Sequence, residues 1–267
     1  MTGIFDSHAH YYDARFEELP GGADALLAGL PGEGVSRILN VATSPENTAA
    51  VLAQAARWPF LYAAVGIHPT DGQALADPAA AIGGLDALLR DKKGRQEQKI
   101  VALGEIGLDY HYPDTDREKQ ALFFEAQLAL AGELALPVII HNREAHGDTF
   151  AAVCRHPDVQ GVFHSYSGSA EMARDLIRRG WYLSFSGVVT YKNARHVREA
   201  AALTPPDRIL VETDCPYLPP VPHRGEINHS GYLSCTLAVL AEVCGCTTEE
   251  MARRTAQNAS RLFGVAL

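Results

Sequence analysis

The sequence predicts an α/β protein of the (β/α)8 TIM-barrel class with an additional C-terminal helix, one domain over residues 1–267. Three observations carry that expectation. Short runs rich in Val, Ile, Leu and Phe alternate with longer segments of helical period, the pattern of parallel strands covered by helices. The alternation begins at residue 3 and continues nearly to the end. Finally, 267 residues suit one barrel built from units of about 25 to 35 residues, whereas the runner-up, an open doubly wound sheet, usually stops at about five or six strands.

Taken in order, strands are expected at Gly3 to His8, Arg37 to Ala42, Leu61 to Ile67, Ile100 to Ile106, Pro137 to Ile140, Gly161 to His164, Tyr182 to Phe185 and Ile209 to Glu212. Amphipathic segments lie between and after them: Glu46 to Arg57, Ala79 to Leu89, Arg117 to Glu133, Ala145 to Arg155, Ala170 to Arg179, Asn193 to Ala202 and Ser234 to Val243. A last helix is expected from a Thr247 N-cap to Arg261, with Glu249 and Glu250 at its positive end and Gly264 beyond it. It should close the barrel from outside. The polar stretch Asp91 to Lys99 reads as a solvated loop.

Composition bounds the function. Apolar residues make up 47% and charged residues 21%, ordinary globular usage with no low-complexity tract. No apolar run approaches the roughly 18 residues that span a bilayer, and no basic leader precedes the first strand. A soluble, cytoplasmic protein with no membrane partner is expected. Cys154, Cys215, Cys235, Cys244 and Cys246 form an odd set without CxxC spacing, read as reduced core thiols. The net charge of -9 repels a polyanion, so any nucleic-acid substrate needs a local positive site. The oligomeric state stays open, with a monomer sufficient.

The chemistry sits at strand ends. His8 and His10 are two apart in an extended segment, so both project from one face and could grip one ion. Glu105 follows an apolar strand, and Gly104 and Gly107 beside it permit close approach of backbone and ligand. His141 ends Pro-Val-Ile-Ile-His, His164 ends Gly-Val-Phe-His and Asp214 ends Ile-Leu-Val-Glu-Thr-Asp. Taken singly, each of these histidines could equally be a satisfied core residue. Burying a carboxylate there costs several kcal/mol unless a metal or donors compensate it. Ligand-type residues on five separate strands point together to a metal site. His68, ahead of Pro69, could orient a phosphate or protonate a leaving group, or simply pack its loop.

These residues also carry a family resemblance. Asp6-Ser-His-Ala-His10, Val65-Gly-Ile-His-Pro69, Gly104-Glu-Ile-Gly-Leu-Asp-Tyr110, Pro137-Val-Ile-Ile-His-Asn-Arg143 and Glu212-Thr-Asp-Cys-Pro-Tyr-Leu218, followed by His223-Arg-Gly, resemble the TatD family of metal-dependent deoxyribonucleases in the amidohydrolase superfamily. The likeness runs from residue 4 to Asn258-Ala-Ser-Arg-Leu-Phe263. It departs at His164-Ser-Tyr, where relatives usually read His-Cys-Phe, and at Asn228-His-Ser230, where they read an Asn-Glu-Pro type of run.

The resemblance implies a barrel holding two divalent metal ions. One would be bound by His8, His10, Glu105 and Asp214 and the other by Glu105, His141 and His164, with Glu105 as bridge. Two ions about 3.5 to 4 Å apart can hold a hydroxide and stabilise attacking and leaving oxygens. Asp214 would take the water's proton, making Asp214, Glu105 and His68 the catalytic set. Four histidines favour zinc, manganese or iron by ligand type, whereas the family's nuclease activity is associated with magnesium; magnesium or manganese in activity and zinc on isolation reconcile the two.

The implied partner is DNA, as single strands or 3′ ends, cut in the manner of a 3′-5′ exonuclease. Arg143, His223, Arg224 and Lys192, together with Arg195, would supply the positive site, and Tyr110, Tyr166, Tyr191 and Tyr217 could stack bases. The alternative is a small-molecule amidohydrolase or esterase, or an aminoacyl-tRNA deacylase, on the same binuclear site. Many amidohydrolases bridge their metals with a carbamylated lysine on strand four; Glu105 in that place favours the phosphodiesterase branch. A noncatalytic metal scaffold would lack a ligand or the water-activating acid, and none is missing.

Overall fold

The computed structural model describes residues 3–267. Its strands are β1 (Ile4–Ala9), β2 (Val35–Val41), β3 (Leu61–Val65), β4 (Ile100–Asp109), β5 (Val138–Arg143), β6 (Gly161–Phe163), β7 (Tyr182–Phe185) and β8 (Ile209–Val211). They form one eight-stranded sheet whose order follows the sequence, β1 to β8. That order is the (β/α)8 topology and rules out the doubly wound alternative, in which strand order reverses at a switch point. All eight expected strands are present, and each expected helix is found within about two residues of its ends.

By contact density the chain divides into two compact units, the segment ending at Asn40 together with His164–Leu267, and Val41–Phe163. In the first unit β1 is buried over its whole length and pairs in parallel with β2 from Ile4↔Val35 to Ala9↔Asn40. Its far end is bonded to the segment that follows β8. The Asp214 N–H donates to the His8 carbonyl at 2.9 Å, and the His10 N–H to the Cys215 carbonyl at 2.8 Å. The first and last strands are thereby joined. The helix Thr248–Phe263 covers this seam from outside: Phe263 lies 6.3 Å from the Phe5 ring, and the Asn258 amide donates to the Pro206 and Ile209 carbonyls, both at 2.9 Å. The Thr247 hydroxyl caps it by accepting from the Glu250 N–H, a bond that stabilises a helix by about 1 kcal/mol.

In the second unit β3, β4, β5 and β6 run in parallel. The glycines flanking Glu105 serve the sheet rather than a ligand. A Cβ on Gly104 would stand 2.6 Å from the Ile139 Cβ, and one on Gly107, whose φ is +150°, would collide with the His141 carbonyl. The close approach expected there is therefore that of β5 to β4.

Four other expectations are corrected. Asp91 to Lys99 is not a loop: Lys92–Glu97 is a helix capped by the Asp91 carboxylate. The Lys99 ammonium donates to the Ala55, Trp58 and Leu61 carbonyls at 2.7, 2.9 and 3.4 Å, closing the C-terminus of the helix Pro45–Arg57. A short helix, Gly22–Gly29, went unforeseen because it carries few apolar positions at helical spacing. β4 runs three residues beyond Ile106, to Asp109. All five cysteines are free, but only Cys215 is fully buried. No single helix among the described residues is long and apolar enough to cross a membrane.

Candidate metal centre

Each unit gathers ligand-type side chains where its strands end. In the first unit the His8 and His10 Nε2 atoms lie 3.0 Å apart, and the Asp214 Oδ1 stands 3.7 Å from one and 3.3 Å from the other. The His164 ring stacks on that of His8 at 4.1 Å, and His8, His164 and Asp214 can each offer an atom to one ion. These separations fit a cation. Ligands about 2.1 Å from an ion, at coordination angles of about 90° to 125°, lie about 3.0 to 3.7 Å from one another.

The surrounding groups fix this geometry. Asp6, fully buried, accepts from the Thr213 N–H at 2.9 Å, the Thr213 hydroxyl at 2.6 Å, the Ser230 hydroxyl at 2.7 Å and the His8 N–H at 3.3 Å. It therefore ties the strand carrying His8 to the turn carrying Asp214. Burial pushes its carboxyl up to about 6, against the pull of those donors. Asp214 sits in the left-handed region at φ +57°, which Asp tolerates better than most residues. Burial pushes its carboxyl up, but the His10 hydrogen bond and the positive charge of His164, His8 and His10 outweigh this and hold it low. Glu212, also fully buried, accepts from the Ser165 N–H at 2.7 Å and lies 3.2 Å from His164 Nδ1. A proton on Nδ1 bonded to Glu212 leaves Nε2 as the bare, ligating nitrogen.

In the second unit His141 stands between two carboxylates, its Nδ1 at 2.7 Å from Glu105 and its Nε2 at 3.0 Å from Asp109. With Nε2–H donated to Asp109, the Nδ1 lone pair faces a carboxylate oxygen, and only a proton or a cation between them reconciles two acceptors at that distance. The His141 hydrogen bond and charge and the His111 N–H hold the Asp109 carboxyl low, overcoming a larger upward push from burial. His68 is set differently. Its Nδ1 accepts from the Thr70 N–H at 3.3 Å, capping the helix Pro69–Ala74, so the ring proton belongs to Nε2, 3.6 Å from Glu105. Although its position would admit it to a ligand group with Asp109 and His141, that tautomer argues against ligation.

A family model described as TatD related DNase matches residues 5–264. The chain belongs to the TatD family. Among TatD-type relatives it is 37% identical to the metal-dependent hydrolase YabD of Bacillus subtilis, over 98% of this chain and 99% of that one. It is 36% identical to the metal-dependent hydrolase TatD of Mycobacterium tuberculosis, over 98% of each. The crystal structure of YjjV, a TatD homologue from Escherichia coli, matches with a TM-score of 0.90 at 33% identity, over 99% of each chain. The protein is a metal-dependent hydrolase with the family's (β/α)8 fold.

Beside this TatD-type donor set, the residues expected to meet substrate fare unevenly. Arg224 lies 4.0 Å from the Tyr191 ring and Arg143 5.6 Å from that of Tyr112. Both guanidiniums are exposed, as is Lys192. Arg195 is engaged on its own helix by Glu199 at 2.7 Å. His223 stacks on Tyr232 at 3.7 Å, with its Nδ1 at 3.1 Å from Glu226. Tyr166 is unsuited to stacking a base, because it is buried and its hydroxyl donates to the Ser169 carbonyl.

Four supporting residues escaped sequence reasoning: Asp109, Glu212, Gln120 and Gln127. The last two lie seven apart on the helix Arg117–Leu134, on one face, and both are buried. Gln120 accepts from the Asp109 N–H at 2.9 Å and donates to the Asp109 carbonyl at 3.0 Å. Gln127 does the same for Ile67, beside His68, at 2.8 and 3.0 Å. Buried acids at Asp109 and Glu212, inside the motifs that carry the resemblance, were the available signal.

Proposed function

We propose that this TatD-family hydrolase is a deoxyribonuclease that cleaves DNA phosphodiester bonds, trimming single-stranded 3′ ends. Following the family pattern, His8, His10 and Asp214 would hold one divalent ion and His141 and His164 a second, with Glu105 available to both. The observation that carries the reading is the spacing of the His8, His10 and Asp214 donor atoms, 3.0 to 3.7 Å, together with a second carboxylate behind His164 and His141. The DNA substrate is supported by the family description and by the exposed arginines mounted on tyrosine rings.

Bound divalent ions supply charge neutralisation at the phosphate and a lowered pKa for the attacking water. The chain's own groups do the rest. Asp214, whose Oδ1 lies beside His8 and His10, accepts the proton of the attacking water. His68 offers its Nε2 proton to the leaving oxygen or to a phosphate oxygen, its ring orientation fixed by the Thr70 cap.

The test strips the protein of metal, restores magnesium, manganese or zinc separately, and assays end-labelled single- and double-stranded DNA, a chromogenic phosphodiester and an aminoacyl-tRNA. A variant carrying His8→Ala and His10→Ala is the control. Metal-dependent shortening from the 3′ end is expected. Hydrolysis of the aminoacyl ester alone would transfer the protein to the deacylase class.

A further inference from the structure

Most arginines on the helices of the first unit are spent on neighbours: Arg178 pairs with Asp175, Arg195 with Glu199 and Arg254 with Glu250. Two arginines in the segments that follow β1 and β8, Arg15 in the short 3-10 helix Ala14–Glu18 and Arg224 in a turn, are held by aromatic rings instead. The Arg15 guanidinium lies 4.0 Å from the centre of the Tyr217 ring, and that of Arg224 4.0 Å from Tyr191. Each ring is itself anchored. The Tyr217 hydroxyl donates to Asp13 Oδ2 at 2.8 Å and the Tyr191 hydroxyl to the Pro219 carbonyl at 3.1 Å.

Tyr217 also touches the metal cluster, its ring 6.2 Å from that of His10 in an edge-to-face arrangement. Asp13 does not neutralise Arg15 by a close bond. Its Oδ1 accepts from the Arg15 N–H at 2.9 Å and stands 3.7 Å from Nε. The two terminal nitrogens of Arg15 have no protein partner among the described residues, and 47% of the side chain is exposed.

A guanidinium laid on a ring is held by cation–π attraction while its outward N–H edge stays free for a phosphate. In a chain of net charge -9, such fixed points are where a polyanion can be gathered. The second unit shows the same device by itself, with Arg117 4.2 Å from Tyr110 and Arg143 5.6 Å from Tyr112.

We propose that Arg15, seated on Tyr217 beside the His10 end of the metal cluster, binds a phosphate flanking the scissile one, and with Arg224 on Tyr191 makes the enzyme prefer a nucleic-acid strand to a lone phosphodiester. This rests on the nuclease reading above. The tyrosines at the strand ends then serve to seat arginines, not to stack bases. Arg15 is a specificity-determining residue that no motif of the sequence singles out.

The test compares the metal-loaded parent with Arg15→Ala and Arg15→Lys on a short single-stranded oligodeoxynucleotide and on a chromogenic phosphodiester, across a salt series. In Arg15→Ala the KM for the oligonucleotide rises about tenfold with kcat held, and the slope of log kcat/KM against log salt falls by about 0.7, one single-strand phosphate contact. The preference for oligonucleotide over chromogen drops in proportion. Arg15→Lys keeps the salt slope, because the charge remains, but raises KM, because the ring seat is lost. An unchanged KM and slope in Arg15→Ala overturns the proposal, as does an equal loss on both substrates, the mark of a structural role. A parent that hydrolyses the chromogen and no oligonucleotide refutes the nuclease reading itself, and this inference with it.

Discussion

Asp109→Asn isolates the contribution of a residue that touches no substrate in the proposed mechanism. Both carboxylate oxygens of Asp109 are in use, Oδ1 accepting from the His111 N–H at 3.0 Å and Oδ2 meeting His141 Nε2 at 3.0 Å. Asparagine offers one acceptor, and its amide N–H must face one of those two donors. If it faces the imidazole, the ring proton moves to Nδ1, the nitrogen turned toward Glu105, and His141 loses its lone pair for a metal. Removing such an orienting partner lowers metal affinity by about 10- to 100-fold, or about 1.4 to 2.7 kcal/mol. The loop itself should hold, since Gln120 clasps the Asp109 backbone rather than its side chain. Calorimetric titration of the stripped protein with manganese or zinc should show one site weakened by that factor, with kcat on a chromogenic phosphodiester restored to within about threefold at saturating metal. Unchanged affinity, or a kcat deficit that excess metal leaves in place, would refute the orienting role.

Other consequences can be checked with similar tools. Glu212→Gln keeps an acceptor for the Ser165 N–H but removes the charge beside His164, and metal affinity is expected to fall about tenfold with little change in the urea midpoint. Lys99→Met removes the donor shared by the Ala55, Trp58 and Leu61 carbonyls and should lower stability by about 2 kcal/mol, read from equilibrium unfolding with activity per folded molecule unchanged. His229 is pushed down to about 4, first by burial and then by His223. Between its unfolded value near 6.5 and 4 only the unfolded chain binds that proton, so stability falls as pH drops through this window. His229→Gln should flatten the loss between pH 7 and pH 5 in urea midpoints, and an equally steep loss would assign the acid sensitivity elsewhere.

Much of the fold, and the clustering of histidines and carboxylates at strand ends, was legible because both are written in periodicity and position. An apolar run ending in His or Glu marks where a barrel strand meets its mouth, as at Glu105, His141 and His164, while His8 and Asp214 stand two polar residues beyond such a run. What stayed hidden depends on what lies across from a residue. Lys99 reads as part of a charged stretch until the carbonyls of Ala55, Trp58 and Leu61 are seen around its ammonium. Gln120 and Gln127 read as solvent positions of an amphipathic helix, yet both are buried. Asp109 was missed because β4 continues through Gly107, where the expected strand had already ended. Tyr166, judged only by its place near a strand end, turned out to be buried.

The glutamine pair on the helix Arg117–Leu134 has a mechanical consequence. Two segments far apart in sequence, the loop carrying His68 and the end of β4 carrying Asp109, hang from a single rod at points two turns apart. Each attachment is a reciprocal amide pair that a leucine of similar bulk could not replace without abandoning two main-chain groups. Fraying or tilting of that rod would therefore slacken the proton donor and the histidine support in the same event, and heat inactivation is expected to set in as one step, ahead of the loss of the sheet.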